Sequence, residues 1–108
     1  MIQQSILSLL NDYRSETKHP KTLLPELLKA AQADQHNCWI SLINEAQLTN
    51  YLSKLEGQSP DTLPLYGIPF AVKDNIDLAG LETTAACPAF SYRPTESATV
   101  VQLLIDAG

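Results

Sequence analysis

Basic residues are scarce in this chain: seven Lys and Arg stand against twelve Asp and Glu, for a formal charge of −5 over 108 residues. Because neutralising phosphates takes clustered Lys and Arg and these seven are scattered, the balance argues against a nucleic-acid partner or an acidic membrane surface. No apolar run approaches the roughly 20 residues that a membrane span requires. The start, Met1-Ile2-Gln3-Gln4, lacks the basic opening of a secretory signal, so a cytoplasmic location is expected. The two cysteines, Cys38 and Cys87, lie far apart without the dense spacing of a secreted disulfide framework and read as thiols. Histidine is equally rare. His36-x-Cys38 and the distant His19 do not make a four-ligand set at zinc spacing, so no metal is expected. The four glycines are dispersed, and Ser91 and Ser97 sit in neither a Gly-Ser cluster nor a nucleophile elbow.

The remainder is ordinary globular composition, 44% hydrophobic and 18% charged. Ile2, Ile6, Leu9, Leu10 and Tyr13 recur at helical spacing and predict an amphipathic helix over the first dozen residues. His19-Pro20 breaks it, and Leu24, Leu27, Leu28 and Ala31 predict a second helix to about Ala33, with Thr22 as its cap and Pro25 confined to its first turn. Cys38–Ile43 reads as a short, mostly buried strand. Asn44 with Gln47 three residues on forms a capping box, and Ile43 with Leu48 a hydrophobic staple, for a third helix whose buried face is Leu48, Tyr51, Leu52 and Leu55 and which Gly57 is placed to end. Turn chemistry fills 58–64. Ser97 is the expected cap of a last helix facing inward through Val100, Leu103, Leu104 and Ala107.

Between the third and last helices lies the stretch that organises the chain. Phe70-Ala71-Val72 is a short apolar run between Pro69 and Asp74-Asn75, the pattern of a buried strand ending in a turn, and Lys73 is its last residue. A lysine there either extends its ammonium past the strand end into water or is held among apolar neighbours, where desolvation makes it a usable base. Asp74, Asn75 and Asp77 lack the glycine and terminal glutamate of an EF-hand loop at the required positions, and an Asx turn is the expected role.

The string Gly67-Ile68-Pro69-Phe70-Ala71-Val72-Lys73-Asp74-Asn75-Ile76, followed by Gly80-Leu81-Glu82-Thr83-Thr84, resembles the opening motif of the amidase signature family of serine hydrolases. Its continuation, Ala85-Ala86-Cys87-Pro88-Ala89-Phe90-Ser91-Tyr92, looks like the allophanate hydrolase branch, where many relatives have a Gly-Ser pair. The fold class this implies is α/β: N-terminal helices over 1–57 leading into the start of an amidase-signature mixed-sheet α/β/α domain over 63–108. The last helix should be followed by a further strand, so the expectation is the N-terminal portion of a longer domain.

The resemblance further implies a Ser, cis-Ser, Lys triad with Lys73 as the catalytic base, and the Gly- and Ser-rich segment that carries both serines and the oxyanion hole lies downstream in the family. It implies allophanate, a small-molecule amide, as substrate, ammonia as product in urea degradation, and neither metal nor organic cofactor. A homodimer and a functional link to urea carboxylase go with it. Another amidase-signature amidase, a tRNA-dependent amidotransferase A-type subunit, and a non-catalytic truncated module are the alternatives. Thr83 and Thr84 either shape the pocket beside Lys73 or serve loop hydrogen bonding, the latter preferred. Cys87 is a small thiol with no histidine near it in sequence, read as structural rather than nucleophilic.

Overall fold

Ser5 opens the first helix: in a computed structural model describing residues 3–108, its hydroxyl accepts the Ser8 N–H at 3.1 Å and α1 runs Ile6–Arg14. The expected contribution of Ile2 lies outside the described residues. Leu9, Leu10 and Tyr13 form the buried stripe, while Ile6 is exposed against expectation.

The second helix, α2, covers Pro20–Gln32 and starts three residues earlier than a cap at Thr22 would have it. The cap position belongs to His19, held extended at φ −132°, with Pro20 at the first helical position, where its missing N–H costs nothing and its fixed φ suits the helix. Pro25 therefore falls beyond the first turn, correcting the expectation that it lie within it. The bond it cannot make would have gone to the carbonyl of Lys21, an exposed residue that water can reach. The third helix, α3, spans Glu45–Ser53 and bears out its start signal: Asn44 Oδ1 accepts the Gln47 N–H and Gln47 Oε1 accepts the Asn44 N–H, both at 2.8 Å. Turns follow it to Gly57, which takes φ +73°.

Two small cores result. Leu9, Leu10 and Tyr13 pack with Leu23, Tyr66 and Ile68, with the rings of Tyr13 and Tyr66 edge to face at 5.7 Å. Leu28, Leu48 and Leu52 pack with Leu24, Leu42, Ile43 and Leu55, joining α2 to α3 and placing the Ile43–Leu48 staple as the sequence suggests.

The last helix, α4, spans Thr99–Asp106 but is not capped by Ser97. Ala98 occupies that position, and Ser97 Oγ instead accepts the Ala79 N–H at 2.9 Å. Its orientation also differs from the expected one. Val101 is 2% exposed, whereas Val100 and Leu103 are 56% and 63% exposed. The reason is the docking of its C-terminal end: the Ala107 and Gly108 carbonyls accept the Leu65 and Gly67 N–H groups, each at 2.8 Å, which turns the Val101 side inward.

Neither expected strand forms. Among the described residues the only β pairing is an isolated antiparallel bridge between Thr83 and Tyr92, so the mixed sheet is not seen here. A strand needs a hydrogen-bonding neighbour, and neither Cys38–Ile43 nor Phe70–Val72 meets one within these residues. Trp39, Ile40 and Phe70, read as buried, are exposed. The radius of gyration of 14.5 Å, against about 13 Å for a well-packed chain of this length, reflects the same thin packing.

Candidate active site around Lys73

The segment that carries Lys73 is anchored first at Gly67. Tyr13 Oη donates to the Gly67 carbonyl at 2.9 Å while the Gly67 N–H donates to the Gly108 carbonyl, so α1 and the residue two past the end of α4 hold Gly67 from both sides. Gly67 takes φ +66°, and a Cβ there would lie 2.6 Å from Pro20 Cγ and 3.0 Å from Tyr13 Cε2. The first glycine of the motif is thus required twice over, by conformation and by the close approach of α1 and α2.

From Gly67 the chain runs out through Ile68 and Phe70 to Lys73, whose side chain is exposed. Lys73 begins a turn in which its carbonyl accepts the Ile76 N–H at 2.9 Å. Asp74 does not close an Asx turn, contrary to expectation. Its carboxylate reaches across to the next loop and accepts the Thr84 N–H at 3.1 Å, the Thr84 hydroxyl, and the Ala86 N–H at 3.2 Å. Its own carbonyl accepts the Ala85 N–H at 3.0 Å. The Thr84 hydroxyl, with the Ala86 and Thr84 amides assisting, holds the Asp74 carboxyl below the usual carboxylate range against the opposing effect of desolvation. Within the held loop, Ala85 and Ala86 both lie in the left-handed region, at φ +49° and +58°.

A second aspartate anchors the far side of that loop. Asp77 Oδ1 accepts from the Thr83 hydroxyl at 2.8 Å and from the Tyr92 hydroxyl, and its carbonyl accepts the Ala98 N–H at 3.0 Å at the start of α4. The bond from Tyr92, with desolvation adding, raises the phenol above its ordinary value. Thr83, 3% exposed, also makes both backbone bonds of the bridge to Tyr92, at 2.9 and 3.1 Å. The two threonines therefore serve loop hydrogen bonding, as preferred from the sequence. Cys87 follows the loop as an exposed free thiol and opens a 3-10 turn over Pro88–Phe90, and Cys38 is likewise exposed and unpaired.

Lys73 and most of this loop lie at the surface. Two open clefts, of about 290 Å³ beside His19 and Tyr66 and about 270 Å³ beside Gln4 and Leu27, are lined by neither Lys73 nor the loop. No cluster of His, Cys, Asp and Glu suited to a metal ion occurs among the described residues. No described helix is long and apolar enough to cross a membrane. The clamp of Asp74 on Thr84–Ala86 was not foreseen, because partners ten to twelve positions apart follow no helical or strand period and only the folded turn brings them together.

A model of the family described as Amidase matches residues 22–108. The chain belongs to the amidase family. Among its relatives, the urea amidolyase of Lachancea kluyveri is 50% identical over 97 residues, covering 88% of this chain and 5% of the relative. That of Saccharomyces cerevisiae is 44% identical over 107 residues, covering 96% of this chain and 6% of the relative. Among solved structures, a Kluyveromyces lactis allophanate hydrolase superposes with a TM-score of 0.81 at 40% identity, over 98% of this chain and 18% of that one. This amidase segment thus spans under a fifth of each of these proteins, and it matches the N-terminal region of the urea amidolyase and allophanate hydrolase group.

Proposed function

We propose that this amidase segment is the N-terminal part of an enzyme that hydrolyses the C–N bond of allophanate and releases ammonia, with Lys73 as its catalytic base. The observation that carries the reading is the superposition of 98% of this chain on an allophanate hydrolase at 40% identity and a TM-score of 0.81. The proposed division is a helical leader over 1–57 and the start of the amidase core over 63–108.

In this reading Lys73 Nζ, neutral, takes a proton from a bridging serine, which takes one from the nucleophilic serine as that oxygen attacks the amide carbon. Return of the proton to the leaving nitrogen breaks the C–N bond, and water then releases the acyl group. Both serines and the oxyanion hole come from the Gly- and Ser-rich segment characteristic of the family, which this chain does not contain. Lys73 is exposed here, so the dry surroundings that a neutral lysine needs are the contribution of the rest of the domain. Association as a homodimer and a functional link to urea carboxylase belong to the same proposal.

The test is ammonia release by the complete amidase domain carrying these residues, with allophanate, acetamide and glutamine compared as substrates. Strong preference for allophanate supports the assignment. Turnover of glutamine with none of allophanate would move it to an amidotransferase-type amidase.

A further inference from the structure

The clamp beside Lys73 has more bonds than a surface turn requires. Four hydrogen bonds converge on one residue: the carboxylate of Asp74 takes the Thr84 N–H, the Thr84 hydroxyl and the Ala86 N–H, and its carbonyl takes the Ala85 N–H. The peptide that leaves Lys73 and the loop over Thr84–Ala86 are in consequence one unit. That unit is held in a costly shape, since two successive alanines sit in the left-handed region that L-residues with a Cβ avoid. Consecutive residues of that kind persist only where their surroundings over-determine them. The Thr84 carbonyl accepts the Cys87 N–H at 2.8 Å and closes the turn itself, and the Asp77 bonds reach Thr83 and Tyr92 rather than residues 84–86, so the bonds to Asp74 are the ones that tie this turn to the Lys73 peptide.

We propose that Asp74 is a positioning residue for Lys73: by clamping Thr84–Ala86 to its own carboxylate and carbonyl, it fixes the backbone from which the Lys73 side chain extends toward the reacting serines. The inference rests on Lys73 being the catalytic base. Charge is part of the design, because three donors meet one carboxylate, and a charged acceptor holds them more strongly than a neutral one. An asparagine would present an amide NH2 to at least one donor that needs an acceptor. Proton transfer between Lys73 and a serine depends on the lysine nitrogen being held within hydrogen-bond reach, where a displacement of about 1 Å can cost 10²-fold.

The complete amidase domain carrying these residues, assayed with allophanate, tests this through Asp74→Asn, Thr84→Val, Thr84→Ser and Lys73→Ala. Asp74→Asn is expected to lower kcat by about 10- to 100-fold with KM changed less than about threefold. Thr84→Val, which removes only the hydroxyl bond, should lower kcat by about 3- to 10-fold, and Thr84→Ser should recover most of that loss. In the double variant Asp74→Asn/Thr84→Val the loss should be no greater than that of Asp74→Asn, because both break one clamp. If Asp74→Asn does not fold, the Thr84→Val and Thr84→Ser pair still decides. Equal kcat for that pair, or a fall in KM-dependent binding with kcat preserved, would overturn the positioning role. Full activity of Lys73→Ala would instead overturn the base assignment itself, so the two failures are distinct.

Discussion

Tyr13 Oη donates to the Gly67 carbonyl at 2.9 Å across 54 positions of sequence, fastening the first helix to the peptide that opens the amidase motif. The bond is buried and Tyr13→Phe would leave its acceptor without that donor, so the variant should destabilise the complete domain by about 1–3 kcal/mol. Gly67→Ala should cost at least as much, because the new Cβ would meet the Pro20 ring at 2.6 Å and the residue would be left at φ +66°. Urea unfolding midpoints of the two variants against the parent measure both.

Burial, with the neighbouring Tyr66 phenol adding, pushes the Tyr13 phenol up to about 12 from an ordinary 10. A group whose folded value is raised contributes stability that is complete below its unfolded value and lost as pH rises through its folded one. Stability should therefore fall between pH 10 and about 12 in the parent, and Tyr13→Phe should show a shallower fall over that interval. Melting temperatures taken across that interval for the two proteins give the comparison.

The isolated 108-residue chain should be loosely packed and inactive. Leu7 is 74% exposed, and Trp39, Ile40, Phe90, Val100 and Leu103 are also large apolar side chains left open to solvent. Strong binding of a hydrophobic dye, a broad melt, and no ammonia release from allophanate above a Lys73→Ala control are expected. A sharp, cooperative melt of a monomer that excludes the dye would contradict the packing argument.

The sequence was most legible where the signal is local. The Asn44–Gln47 box lies within four residues and needs no tertiary partner, and it forms as read. Ser97 carries an equally good local signal, yet its hydroxyl is taken by Ala79, eighteen positions away, so a tertiary bond displaces the cap. Phe70–Val72 has the composition of a strand, but composition cannot supply the neighbouring strand that would pair it. Around the candidate site, the motif string singled out Lys73 as the expected base and carried the glycine at 67. The Asp74 clamp was hidden because it depends on a turn and on two alanines in a backbone conformation that their identity does not advertise.

The most direct measurement is the turnover of allophanate by the complete amidase domain with Lys73→Arg beside Lys73→Ala. Arginine keeps the positive charge but cannot give up its proton at working pH, so a proton-transfer role cannot survive the exchange. Both variants should lose at least about 10²- to 10⁴-fold in kcat, to a similar extent, with melting temperature nearly unchanged. Near-normal turnover by Lys73→Arg would contradict the account and remove Lys73 as the base.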